Sequence, residues 1–97
     1  MAEAVATWQV RIRGRVQGVG FRKACVRRAR ARGVAGWVRN RMDDSVEALL
    51  QGTPAQLAEF CEWLREGVDA ALVEDLQVTD VPPPFPRHDD FERLPTL

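Results

Sequence analysis

The order in which the hydrophobic period changes along the chain is the tightest constraint on its fold. From Thr7 to Arg13 apolar residues alternate, with Trp8, Val10 and Ile12 on one face and Gln9, Arg11 and Arg13 on the other, which predicts a half-buried strand. From Phe21 to Arg32 there is no Gly or Pro, and Ala and Arg dominate. Phe21, Cys25 and Ala29 recur four apart, which predicts a helix stopped by Gly33. Gly36–Asn40 and Ser45–Gln51 predict two strands of a hairpin, with Arg41–Asp44 as the turn and Val46, Ala48 and Leu50 inward. Asp44 is expected in the left-handed region, which Asp tolerates better than most residues. A second helix opens at Gly52-Thr53-Pro54: Thr53 is the N-cap, Pro54 takes the first helical position, and Gln56 completes a capping box. Leu57, Phe60, Cys61 and Leu64 form its apolar stripe, and Gly67 ends it. Leu72–Val81, with Val73, Leu76 and Val78, predicts a fourth strand. Pro82–Pro86 cannot lie in a central strand and is expected as an extended linker, and Asp90–Leu94 is the candidate for a short edge strand.

The order β-α-β-β-α-β has one common solution when crossovers are right-handed and unknotted. It is the α+β, ferredoxin-like split βαβ sandwich, an antiparallel sheet ordered 4-1-3-2 with both helices on one face. In that arrangement strands one and three lie adjacent in the middle. The loop after strand one and the end of strand two fall near the same rim. With 97 residues the expectation is a single domain over 1–97, with its core at 7–81, a linker at 82–86 and an edge segment at 87–97. No stretch approaches eighteen uninterrupted apolar residues, and Met1–Ala6 has neither the basic start nor the apolar run of a signal peptide. The expected setting is the cytoplasm, without a membrane partner.

The net charge of zero hides a split: residues 1–41 carry +10 and residues 42–97 carry −10. Such asymmetry can mark a nucleic-acid surface. Here the basic residues form no contiguous run, so the expectation is two halves folded against each other, the positive one holding an anion site. Cys25 and Cys61 form no CxxC, and His88 is the only histidine, so no zinc spacing is present. Both cysteines are read as small core residues.

The candidate site is the segment Gly14-Arg15-Val16-Gln17-Gly18-Val19-Gly20-Phe21-Arg22. A Gly-rich loop running into a helix start aims successive N–H groups at one spot and makes an anion nest. Arg22 in the first helical turn opposes the helix dipole at a cost of up to about 1 kcal/mol. Its planar fork suits two phosphoryl oxygens. Turn glycines beside a surface arginine are the plainer reading of the same residues. Walker A and G-x-G-x-x-G spacings are absent. Neither cysteine is followed six residues later by Arg, and Ser45 is the lone serine, so thiol phosphatase and serine-triad chemistry are excluded. What is left is a mechanism that binds a phosphoryl group with a good leaving group and places a water in line with it. Asn40, with one carbonyl acceptor and an NH₂ donor, suits the orientation of that water, although an Asn at a hairpin end is common.

The two blocks Gly14–Arg22 and Gly36-Trp37-Val38-Arg39-Asn40 closely resemble the acylphosphatase family in identity and separation. Ser45-Val46-Glu47 and Phe60-x-x-Trp63-Leu64 are similar to it too, and the resemblance spans roughly residues 8–81. It implies cofactor-free, metal-free hydrolysis of the carboxyl–phosphate bond of acyl phosphates. The amides of Val16, Gln17, Gly18, Val19, Gly20 and Phe21 and the Arg22 guanidinium would hold the phosphate, and Asn40 would orient the water. The implied partners are a small-molecule acyl phosphate and inorganic phosphate as product inhibitor, with the chain a monomer that binds no nucleic acid. Three places depart from the family's pattern. Asp44 stands where Gly is frequent, and Arg28 and Arg32 stand where apolar residues are. Phe91–Leu97 is not an aromatic-ending strand. Two other functions fit a sandwich of this kind: a non-catalytic phosphate- or carbamoyl-phosphate-binding domain, and an RNA-binding module. The latter would need sheet-face aromatics, which are few here.

Overall fold

The structure is a computed structural model and describes residues 4–97. The start of the N-terminal segment read above, Met1–Glu3, lies outside the described residues. The elements are β1 (Ala6–Arg15), α1 (Phe21–Arg32), β2 (Ala35–Asn40), β3 (Val46–Gly52), α2 (Pro54–Glu66), β4 (Leu72–Asp80) and β5 (Phe91–Arg93). The sheet runs β4-β1-β3-β2-β5, so the expected 4-1-3-2 order holds for the first four strands, all paired antiparallel. The difference is β5, which adds to β2 in parallel and makes the sheet mixed. Residues 81–90 carry the chain from the β4 edge to the opposite one. Gln51 fastens this crossing at both ends of its amide: Nε2 donates to the Pro86 carbonyl, and Oε1 accepts from the His88 N–H at 2.9 Å.

One face of the sheet carries Val10, Ile12, Val38, Val46, Ala48 and Leu50, all buried, and meets the helices there. The helices contribute the stripes predicted for them, Phe21, Cys25 and Ala29 from α1 and Leu57, Phe60, Cys61 and Leu64 from α2. Phe91 of β5 completes this layer, its ring 6.1 Å from that of Phe60. Both cysteines are free and buried, and burial pushes both thiols up; at Cys61 the charge of Arg65 opposes this. The capping box of α2 is formed in full, with Thr53 Oγ1 accepting from Gln56 N–H and Gln56 Oε1 from Thr53 N–H. Gly67 ends α2 for a different reason from Gly33. Its backbone is right-handed, with φ −95, and a Cβ there would strike the Trp63 indole. The left-handed residue of that connection is Ala70.

The charge split resolves as two halves folded together. Each of the eight ion pairs among the described residues joins a cation from residues 1–41 to an acid from residues 42–97. On the sheet face without helices, Glu47 is the centre. Its carboxylate is 5% exposed and accepts from Gln9 at 2.5 Å, Arg39 at 2.8 Å, and Arg11 and Arg41 at 3.4 Å each. Burial alone would raise its pKa, but the hydrogen bonds from Arg39 and Gln9 and the charges of Arg39 and Arg41 outweigh that and lower it. Arg28 and Arg32, unexpected on the helix, are used between helices: Arg28 lies over the Trp63 ring at 5.4 Å and Arg32 reaches Glu59 at 3.6 Å.

Candidate active site

β1 and β2 each pair antiparallel with β3, so they run parallel to each other and their C-terminal ends share one rim. Ile12, Val46 and Asn40 lie level across the three strands. Beyond that level β1 is bulged between Arg13 and Gly14, runs on to Arg15, and releases the loop. The loop is pinned from below by apolar side chains. Val16 and Phe21 are buried, and Val19 packs partly against the core. Between these anchors the backbone is turned outward at two exposed glycines, Gly18 with φ 75 and Gly20 with φ 77. A Cβ at either would meet nothing within 4 Å, so glycine is required by the left-handed backbone and not by crowding.

Gly20 is also the N-cap of α1. It supplies no side-chain acceptor, and the first turn has no acid. The first intrahelical bond is Ala24 N–H to the Gly20 carbonyl at 3.0 Å. The N–H groups of Gln17 to Lys23 have no acceptor among the described residues. The contrast with α2, whose box consumes its end groups, is chemical: α1 starts with its positive pole open. Arg22 sits in this turn, half-buried, with no ion-pair or hydrogen-bond partner among the described residues. The other half-buried arginines of the first 41 residues, at positions 11, 28, 39 and 41, all have carboxylate partners.

Asn40 ends β2 on the same face as buried Val38. Its Oδ1 is buried and unpartnered; the one other such side-chain atom among the described residues is Thr7 Oγ1, at the far end of the sheet. A buried carbonyl oxygen without a donor costs on the order of 1–3 kcal/mol. Its backbone is braced by the C-terminal segment, with Leu94 N–H on the Val38 carbonyl at 2.9 Å and Leu97 N–H on the Asn40 carbonyl at 3.2 Å.

One connection is absent from the sequence reading. Gln17 was expected to contribute its backbone amide; its side chain also spans to the β2–β3 hairpin. Nε2 donates to the carbonyls of Arg41 and Ser45, both at 2.9 Å. The same two residues close the turn through Arg41 N–H to Ser45 O at 2.8 Å, and Asp44 takes the expected left-handed angle, φ 70. Asp43 holds the turn from outside. Ser45, through side chain and backbone, and Arg13 hold its carboxyl well below the usual carboxylate range. Gln17 thus ties the loop to the residue after Asn40. Nothing in the spacing of the sequence marks this, because the acceptors are backbone carbonyls of a turn.

Comparison with known proteins shows what the chain as a whole is similar to. The acylphosphatase family model matches residues 8–93, which carries the similarity through β5. Acylphosphatase 1 of Ralstonia nicotianae is 68% identical over 99% of this chain and 94% of its own length. An acylphosphatase of Polaromonas naphthalenivorans is 59% identical over 94% of this chain and 90% of its own. The crystal structure of acylphosphatase from Bacillus subtilis superposes with a TM-score of 0.87 at 36% identity, covering 92% of this chain and 98% of that one. The chain belongs to the acylphosphatase family.

Proposed function

We propose that the chain hydrolyses the carboxyl–phosphate bond of acyl phosphates, with the phosphate held by Arg22 and the amides of residues 16–21 and the attacking water oriented by Asn40. Family membership at high identity supports the reaction. The observation that carries the division of roles is the buried, unpartnered Oδ1 of Asn40 at the rim where α1 begins uncapped. Open N–H groups at a helix start favour an oxyanion, and the guanidinium adds charge and a two-toothed fork. A free acceptor on a neighbouring strand takes a hydrogen from water and fixes its lone pair.

In the reaction the water oxygen bonds to phosphorus as the bond from phosphorus to the acyl oxygen breaks. The carboxylate leaves with the electron pair, and the water proton passes to a phosphate oxygen. The equatorial oxygens stay on Arg22 and the nest while charge redistributes, so the donors need no rearrangement. The leaving group is already a weak base, and the chain supplies position and charge. The same reading takes the chain to be a cytoplasmic monomer inhibited by its product, phosphate, with residues 1–97 as one domain.

The RNA-binding alternative fares poorly against the sheet face. Trp37 is covered by Arg39, whose guanidinium lies 4.7 Å above its ring, and Arg11, Arg39 and Arg41 are all engaged by Glu47. The experiment is hydrolysis of acetyl and benzoyl phosphate by the purified chain in excess chelator. Turnover with competitive inhibition by phosphate is expected. Loss of all turnover in chelator, restored by one divalent cation, contradicts the mechanism.

A further inference from the structure

The two parts of the candidate site stand on strands that are not neighbours. β1 releases the loop and β2 ends in Asn40, and β3 lies between them in the sheet. The spacing of nest and water is therefore set through β3. The β3 side chain that reaches both strands is Glu47, which stands directly opposite Arg11 of β1 and Arg39 of β2. It lies one level below the rim row of Ile12, Val46 and Asn40, on the face without helices.

The Glu47 carboxylate divides its two oxygens between the two strands. Oε1 accepts from Arg39 at 2.8 Å and Arg41 at 3.4 Å, the residues on either side of Asn40. Oε2 accepts from Gln9 at 2.5 Å and Arg11 at 3.4 Å, both of β1. Charge-assisted bonds to a buried carboxylate are the strong ones, and salt screens them little. Asn40 needs such a hold. Its Oδ1 has no protein partner to aim it, so its direction follows the backbone of its strand. Arg39 and Arg41 bracket that backbone with side chains on the open face, while the Asn40 side chain points to the other. Arg41 is held twice, by Glu47 through its guanidinium and by Gln17 through its carbonyl at 2.9 Å. Asn40 thus lies between a link at the rim and a link beneath it. A carboxylate that only neutralised arginines would have no need to serve β1 with one oxygen and the flanks of Asn40 with the other.

We propose that Glu47 is a positioning residue for the reaction: through Arg39 and Arg41 it holds Asn40 at a fixed spacing from the phosphate nest, without touching substrate. The proposal rests on the roles given under Proposed function.

The test sets kcat on benzoyl phosphate beside the phosphate inhibition constant in Glu47→Gln and Arg39→Met, each assayed where circular dichroism finds it folded. Glu47→Gln removes the charge and one acceptor oxygen. Arg39→Met is the milder change, removing the shortest bond to β2 and leaving Gln9, Arg11 and Arg41 on Glu47, and it carries the test alone where Glu47→Gln does not fold. Leu57→Val controls for lost stability, since Leu57 lies beside Gly52 at the opposite end of the sheet. A shift of 1 Å in a reacting group costs about 10²-fold, so kcat should fall by about ten- to a hundredfold in the folded variants. The phosphate inhibition constant should stay within about twofold, and Leu57→Val should keep its kcat. Unchanged kcat per folded molecule in the folded variants overturns the proposal and leaves Glu47 a centre of stability. So does an equal loss in Leu57→Val, or a rise in the phosphate inhibition constant as large as the fall in kcat, which would make Glu47 a shaper of the nest. A parent chain that hydrolyses no acyl phosphate overturns the reaction itself, so the parent assay tells the two failures apart.

Discussion

Replacing Gln17 by Leu separates the loop from the hairpin without adding charge or changing volume much. The side chain makes two hydrogen bonds, both at 2.9 Å and both to backbone carbonyls in a partly buried setting. At about 0.5–1.5 kcal/mol net per bond, the loss is about 1–3 kcal/mol of stability. The Arg41 carbonyl loses a donor one residue from Asn40. The Ser45 carbonyl keeps the Arg41 N–H at 2.8 Å, which places the cost nearer the lower half of the range. The functional effect is separate. A displacement of about 1 Å between water and phosphate costs on the order of 10²-fold in rate, so kcat should fall by about one to two orders of magnitude. Phosphate should still bind, because the loop's glycine angles and Arg22 are untouched. Urea denaturation measures the first effect, and kcat beside the phosphate inhibition constant measures the second. A variant as stable and as fast as the parent would refute the strut. A variant that loses phosphate affinity as badly as kcat would show that Gln17 shapes the nest and does not connect it to Asn40.

Other substitutions test separate parts of the account. Gly18→Ala should cost about 1–2 kcal/mol and weaken phosphate binding, since φ 75 is unfavourable for any residue with a Cβ; a melting curve with and without phosphate reads both. Glu47 has a folded pKa below its ordinary value of 4.5, so its contribution is full above that value and is lost as pH falls through the folded pKa. Urea midpoints should therefore hold between pH 7 and about 5 and drop at lower pH, and Glu47→Gln should be weaker at neutral pH with a shallower acid loss. An unchanged acid slope in Glu47→Gln would assign that loss to other carboxylates.

The elements were legible because their causes are local. Alternation marks a strand within seven residues, and the Thr53–Gln56 box marks a helix start within four. The placement of the candidate site's two blocks at one rim was legible for the same reason: Gly18, Gly20 and Arg22 lie within five residues of one another, and the strand order already put Asn40 at their rim. Glu47 was not legible. It lies opposite the inward Val46, Ala48 and Leu50 and reads as solvated, yet arginine side chains laid across that face bury it. Nor was the parallel pairing of β5, which depends on how far the 81–90 crossing reaches and on Gln51 fastening it. The strut from Gln17 was hidden because neither of its acceptors is a side chain.

The most direct test of the central claim sets phosphate affinity beside kcat in Arg22→Ala and Asn40→Ala, each checked for an intact fold. Arg22→Ala removes a charged, forked donor, so it should weaken phosphate binding and lower kcat by about 10²–10³ or more, and Arg22→Lys should restore little. Asn40→Ala leaves the nest and the guanidinium in place, so phosphate should bind nearly as in the parent while kcat collapses. Near-normal turnover in Asn40→Ala, or a loss of phosphate binding there as large as in Arg22→Ala, would contradict the division of roles between the two residues.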